Sequence, residues 1–348
     1  MLSPKKVNIL VDGQFGSTGK GLMAGYIATK SKIDIAVSNC SPNAGHTCII
    51  GGKKIICHQL PISGVINTDA HIFFTAGSII DPEVLFQEME EYGVKHDRVS
   101  IHPRAAVVND TCRSYEHDLD NPFTGFASTR SGTGAAMMRK VARGRGGDDI
   151  ACIAEQCESL KPLIYELKLN MCINVEGKIV FMETSQGYGL GINSGYKYPY
   201  VTSREVSIGQ FLSDAQVHPS YLGRVIMTMR TYPIRVGHIM DGNHILGNSG
   251  PFYYDGKELS WNTLGVEPEL TTLTKRPRRI AKFSITQMEE ACEALQPDVT
   301  FLNFCNYMDD DGVERLASMI TKETEKPLLL GYGPSVEDIR PYVVGSLV

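Results

Sequence analysis

The stretch Val11-Asp-Gly-Gln-Phe-Gly-Ser-Thr-Gly-Lys-Gly21 puts four glycines, two hydroxyls and a lysine between an apolar run and an amphipathic one. Residues of these types in this order make an anion site. A strand that runs into a glycine-rich turn and a helix start presents unpaired backbone N–H groups and the positive end of the helix dipole. Gly13, Gly16, Gly19 and Gly21 let the backbone approach phosphate oxygens and take positive φ. Lys20 adds a point charge for the β- and γ-phosphates. The P-loop form G-x-x-x-x-G-K-[ST] requires glycine at 14 and a hydroxyl at 21; this chain has Gln14 and Gly21. The alternative is a strand–helix turn whose glycines serve only packing. A second polar loop, Ser41-Pro-Asn-Ala-Gly-His-Thr47, also follows an apolar run. It sets an amide, a glycine and a histidine just past a strand end, where open α/β sheets gather ligands. The alternative for His46 is a structural histidine in a polar turn.

The elements that must position these loops follow from periodicity. Residues 7–11, 33–39, 72–76, 178–183, 224–229, 299–304 and 327–332 read as strands, and 20–30 as a helix. Gly51-Gly-Lys-Lys54 reads as the turn of a hairpin. Asp81 and Pro82 have the types of an N-cap and first helical residue. Strand–helix alternation predicts an α/β fold, a largely parallel central sheet flanked by helices. No repeat or low-complexity linker divides residues 1–348, so one domain is expected. Residues 183–280 are rich in Gly, Pro, Tyr and Thr and are expected to form loop-rich insertions with short strands.

The 348 residues, 42% hydrophobic, are enough to bury a large core. Thirty-four basic residues against 39 acidic give a net charge of −5, which offers no global field for nucleic acid or an anionic membrane. No apolar run reaches the roughly 18 residues of a membrane span, and the start lacks a signal-peptide pattern. Nine scattered cysteines, odd in number and without C-x-x-C, predict free thiols and a cytoplasmic location. The nine histidines show no metal-ligand spacing, while Mg²⁺ accompanying a nucleotide stays open.

Together the two loops resemble adenylosuccinate synthetase, whose members carry Q-W-G-D-E-G-K-G-K and then N-A-G-H-T. Here these read Gln14-Phe-Gly-Ser-Thr-Gly-Lys-Gly-Leu22 and Asn43-Ala-Gly-His-Thr47. Residues 128–143 resemble the family's monophosphate loop and K-V-A-R segment, 183–187 its E-G-A-Q-G, and 198–203 its Y-P-Y-V-T-S. Residues 234–237 resemble T-R-V-G, 274–279 the arginine-rich aspartate loop, and 331–335 the nucleotide loop. The resemblance implies a P-loop-NTPase-like adenylosuccinate synthetase fold and two chemical steps. A nucleoside triphosphate phosphorylates O6 of a purine monophosphate, and the amine of L-aspartate then displaces that phosphate at C6. It implies triphosphate contacts from Gly16, Thr18, Gly19, Lys20, Gly21, Gly45, His46, Thr47, Asn306, Gly333 and Pro334. It implies purine monophosphate contacts from Ser17, Asn43, Ser128, Thr129, Arg143, Gln186 and Thr202, and aspartate contacts from Thr272, Thr274, Arg276 and Arg278. It implies catalytic roles for Lys20, His46 and Ser17, with Mg²⁺ at Ser17 and Gly45. The resemblance further implies a homodimer, with Arg143 reaching the partner's site.

Departures from the family pattern set the expected substrate. Ser17 stands where the family has its catalytic aspartate, and a serine cannot take the N1 proton unaided. Asp12 and a water held by Ser17 both stay open as the base. A short neutral residue leaves room and hydrogen bonding for a 2-amino group. That resembles the bacteriophage branch of the family, the 2-aminoadenylosuccinate synthetases, which use dGMP. Asn306 falls where the family's guanine-reading aspartate stands, which points to ATP or dATP rather than GTP as donor. Asp309 and Asp310 are nearby acidic alternatives, and an Asn306 that only caps the next turn is another. Pro277 replaces an arginine in the aspartate loop, and the roles of Arg130 and Ser131 stay open. The expected activity is a carbon–nitrogen ligase making N6-succinyl-2-amino-2′-deoxyadenylate from dGMP and L-aspartate. The alternatives are an IMP-using adenylosuccinate synthetase and a non-catalytic purine-nucleotide-binding regulator.

Overall fold

The computed structural model describes residues 1–118, 127–143, 152–165, 173, 175–242, 244–271 and 275–343. Its centre is β1 (Val7–Asp12), every residue of which is buried. A continuous apolar run of this kind suits a strand covered on both faces. The first helix, α1 (Lys20–Lys30), follows the glycine loop, and β2 (Ile35–Asn39) follows α1. β3 (His46–Ile50) and β4 (Lys53–Cys57) form the antiparallel hairpin turned by Gly51 and Gly52, with β5 (His71–Phe74) beyond it.

Among the described residues, nine strands make the main sheet. Its order is Ile339–Pro341, Leu328–Gly331, Val299–Asn303, Leu222–Arg230, β1, Val180–Gly187, β2, β5 and Val99–Ile101. Every pairing is parallel except that of the edge strand Ile339–Pro341, so the predicted α/β class holds. Alternate residues of β1 enter different cores. Leu10 packs with Leu22, Met23 and Ile27 of α1 on one face. Ile9 and Val11 pack on the other with the helices Ile208–Asp214, Ile285–Leu295 and Asp310–Thr324. Asp81 caps the helix Pro82–Glu91 by accepting from Val84 N. All the cysteines described are free, and most are buried.

The helix start corrects one expectation from sequence. Gly21 serves packing rather than φ. A Cβ there would meet the backbone of Thr47, with N at 2.6 Å and O at 2.8 Å. Gly25, one turn on, leaves room for the side chain of Cys48. Residue 21 cannot carry a P-loop hydroxyl because β3 fills that space. Gly21→Ala is therefore expected to cost about 1–3 kcal/mol, since the atoms in the way are main chain. Thermal unfolding of the variant measures this, and an unchanged midpoint would refute the close approach.

Candidate functional site

The strands β1, Val180–Gly187, Leu222–Arg230 and Val299–Asn303 end on one side of the sheet, and the loops that follow them enclose a cavity of about 630 Å³. Ligand sites of open parallel sheets lie at such ends. In the floor, Asp12 is fully buried. Its Oδ1 accepts from the backbone N–H of Gln14 (2.8 Å) and Gly16 (3.3 Å). Its Oδ2 accepts from Thr18 Oγ1 (2.5 Å) and Lys20 Nζ (3.4 Å). Thr18 Oγ1 also lies 2.6 Å from Thr228 Oγ1. Asp12 therefore shapes the loop from beneath and does not line the cavity. The proton-accepting role left open for it finds no support in this placement.

Around that clamp the backbone of Gly16 (φ 95°), Ser17 (φ 56°) and Gly19 (φ 90°) turns left-handed. Successive N–H groups in such a turn face an anion. Gly13 has no positive φ; a Cβ there would meet Met227 Sδ at 2.7 Å. Ser17 is exposed to the cavity and its hydroxyl bonds to no described residue. Lys20 is only 7% exposed and also donates to Gln186 O at 3.4 Å.

His46 is the first residue of β3 rather than part of the turn, and the contact of Gly21 with β3 brings it to the start of α1. Burial and then the charges of Lys20 and His58 push its imidazole down to about 3. The ring is neutral at physiological pH and keeps one N–H to donate. Asn43 Oδ1 accepts from Gln186 Nε2 (2.7 Å) and Ser41 Oγ (2.6 Å), which ties the second loop to the end of Val180–Gly187.

The cavity gathers most residues expected from sequence. Gly16, Ser17, Thr18, Gly19, Lys20, Gly21, Asn43, Gly45, His46 and Thr47 line it. So do Ser128, Thr129, Gln186, Thr202, Arg278, Asn306, Gly333 and Pro334. Arg276 does not; its Nη2 donates to Ser128 O at 2.9 Å and so joins the aspartate loop to the monophosphate segment. Arg143 is exposed just past the helix Thr133–Val141 and outside this chain's cavity. Thr272 and Thr274 fall outside the described residues. Arg130 and Ser131 do not line the cavity either. The amides of Gly132, Gly134 and Ala135, at the start of the helix Thr133–Val141, donate to the carboxylate of Glu116. Any phosphate contact on that side is left to Ser128 and Thr129.

Asn306 is exposed in the cavity and its side chain bonds to no described residue. Asp309 is the residue that caps the following helix, accepting from Gly312 N at 2.7 Å, and neither it nor Asp310 lines the cavity. Asn306 is thus neither a cap nor backed by an acidic reader.

Sequence reasoning missed Arg235, Thr271 and Phe304 as lining residues. Arg235 is buried over the Phe15 ring (4.3 Å) and donates to Ser249 O (2.6 Å) and Tyr200 O (2.9 Å). Burial and neighbouring Arg279 lower it to about 10, so it stays charged at neutral pH. The available signal was its place in Ile234-Arg-Val-Gly237. The described lining residues include three cations, Lys20, Arg235 and Arg278, and no Asp or Glu. Such a wall suits phosphates and carboxylates.

A parallel sheet whose central strand feeds a glycine loop into a cationic cavity, with no acid among its described lining residues, defines an α/β nucleotide-binding protein of the phosphate-loop kind. The chain belongs to the adenylosuccinate synthetase family, whose model matches residues 9–151 and 147–314. It is 36% identical over 366 residues to the N6-succino-2-amino-2′-deoxyadenylate synthase of Salmonella phage PMBT28, covering 97% of this chain and 98% of that one. It is 30% identical over 350 residues to the adenylosuccinate synthetase of Pyrococcus horikoshii, covering 95% and 97%. The solved structure of succinoaminodeoxyadenylate synthetase from cyanophage S-2L, bound to dGMP and to dATP as energy donor, aligns with a TM-score of 0.84. The identity there is 32%, covering 99% of this chain and 97% of that one. Among the described residues no helix is long and apolar enough to cross a membrane.

Proposed function

We propose that the chain condenses L-aspartate with dGMP through a 6-phosphoryl intermediate, with ATP or dATP as phosphate donor. The products are N6-succinyl-2-amino-2′-deoxyadenylate, ADP or dADP, and phosphate. The observation that carries this reading is Ser17: a short neutral residue faces the cavity at the position of the family's carboxylate, and no described lining residue replaces that charge. Space and a hydroxyl remain where the 2-amino group of guanine needs them.

The residues divide the work. The amides of the glycine loop and Lys20 bind and orient the triphosphate. His46, neutral, donates to an oxygen of the transferring phosphoryl group and then to the departing phosphate. Arg278 takes a carboxylate of L-aspartate, and Ser128, Thr129 and Gln186 face the monophosphate. Asn306 meets adenine with one donor and one acceptor, which favours ATP or dATP over GTP.

Among the described residues no cluster of three or more His, Cys, Asp or Glu side chains could hold a metal. The neutral oxygens of Ser17 and Gly45 fit Mg²⁺, which keeps several waters and binds substrate phosphates with few protein ligands. These two would hold it, and the ion would supply charge neutralisation on the transferring group. Arg143, exposed and away from its own chain's cavity, is assigned to the site of a second copy.

A panel of IMP, GMP and dGMP crossed with ATP, dATP and GTP, with L-aspartate present, tests the reading by phosphate release and product identification. Turnover is expected with dGMP and an adenine triphosphate, and poor turnover with IMP. Strong turnover of IMP with none of dGMP would sink it. Thermal stabilisation by nucleotides without phosphate release would instead mark a binding protein.

A further inference from the structure

Arg230 ends the strand Leu222–Arg230 and is 0% exposed. Gln14 clamps its backbone, with Oε1 accepting from Arg230 N (3.0 Å) and Nε2 donating to Arg230 O (3.3 Å). Its guanidinium then reaches three loops at once. Nη1 donates to the carbonyl of Ser17 at 3.2 Å, at the left-handed residue of the phosphate loop. Nη1 and Nη2 grip the carboxylate of Glu269 in a fork, and the cation lies 3.9 Å from the Phe304 ring centroid. Against the raising effect of burial, Arg230 and, after it, Tyr307 on the loop following Val299–Asn303 hold the Glu269 carboxyl below its usual range. Its carbonyl accepts from Arg278 N at 2.8 Å.

We infer that Arg230 and Glu269 are a positioning pair that couples the phosphate loop, the triphosphate-base loop and the aspartate loop. An ion pair between two rigid strands would need no functional account. Here each end of the pair is spent on a loop whose residues line the cavity: Ser17, Phe304 with Tyr307, and Arg278. Ordering one loop fixes the pair, and the fixed pair makes ordering the others less costly. Triphosphate binding then strengthens aspartate binding with no contact between the two ligands. The bidentate fork is suited to this because it sets orientation as well as distance. The consequence for turnover rests on the ligase reading; the coupling of the loops does not.

Two variants test the pair. Glu269→Gln breaks the charge pairing at a partly exposed residue. The double variant Arg230→Met with Glu269→Met removes both charges at similar volume, a change that buried ion pairs often tolerate without loss of stability. Hydrogen exchange of the ligand-free proteins is read first. Residues 275–281 and 304–308 are expected to exchange faster together in both variants. Faster exchange in one segment alone, or in neither, overturns the coupling. Kinetics follow. The KM for aspartate is expected to rise about tenfold, with the KM for dGMP within about threefold, and to stay raised in the double variant even where its unfolding midpoint matches wild type. A double variant with wild-type aspartate KM, or a uniform rise of every KM that follows lost stability, overturns the positioning role. If the unaltered protein shows no ligase turnover, the proposed function fails, and the exchange measurement decides the coupling by itself.

Discussion

Replacing His46 by alanine is expected to lower kcat by about a hundredfold or more, with the KM for dGMP and for aspartate changed by no more than about threefold. The backbone of His46 pairs with Cys57 across the hairpin, and alanine keeps that pairing. What is lost is one directed donor beside Lys20 at the start of α1. Burial first, then Lys20 and His58, hold the imidazole at about 3 against an ordinary 6.5. The sign for stability follows. Above pH 6.5 the ring is neutral whether the chain is folded or not; as pH falls from 6.5 towards 3 the unfolded chain takes a proton that the folded one refuses. The contribution is therefore complete above that window and is lost on acidification through it. If the triphosphate lies against the ring as proposed, its anionic oxygens raise the pKa from that depressed value, while the ring stays neutral near pH 7. Ring titration by NMR with and without triphosphate measures this. Near-normal turnover in His46→Ala would return the histidine to a structural role.

The sequence displayed what is periodic and local, and little of what is held across the fold. The helix at 20–30 and the buried run of β1 follow from apolar spacing alone, and the structure has α1 at Lys20–Lys30. The glycine loop announces an anion site because its residue types have few other uses together. The reasons for single residues in it are not local. Gly21 is small because the backbone of Thr47 lies against it. Asp12 is a clamp because four donors converge on it after the turn has formed. Glu116 occupies the start of a helix that follows a segment with its own phosphate-binding signature. His46 looked like a turn residue because the strand it opens is short and only partly buried. Arg230 and Glu269 carry no motif at all, and only the convergence of strand ends brings them together. Resemblance to the family suggested many of the residues that line the cavity, but it could not tell that Arg276 reaches the Ser128 carbonyl rather than the cavity.

Ser17→Asp is expected to lower the ratio of kcat/KM for dGMP over IMP by about tenfold or more, and to change that ratio more than it changes the KM for aspartate. The backbone permits the test. Position 17 is left-handed at φ 56°, a conformation that aspartate adopts more readily than most residues. Its carbonyl is held by Arg230, so the new side chain points from an anchored peptide. The carboxylate enters a cavity with no other described acidic wall residue and lies near Lys20, which favours its ionised form. There it supplies the carboxylate acceptor that the family pattern has at this position, and a purine bearing only the N1 proton gains most from it. Room is not the whole matter, because a carboxylate can accept from both N1–H and the 2-amino group of guanine. The discriminating quantity is accordingly the ratio and not the rate on dGMP alone. A gain on IMP with dGMP retained would mean that Ser17 excludes IMP by withholding a base. A loss on dGMP with no gain on IMP would mean that it admits the 2-amino group by size. An unchanged ratio would remove Ser17 from substrate choice altogether and leave the purine preference to the walls at Asn43, Gln186 and Thr202.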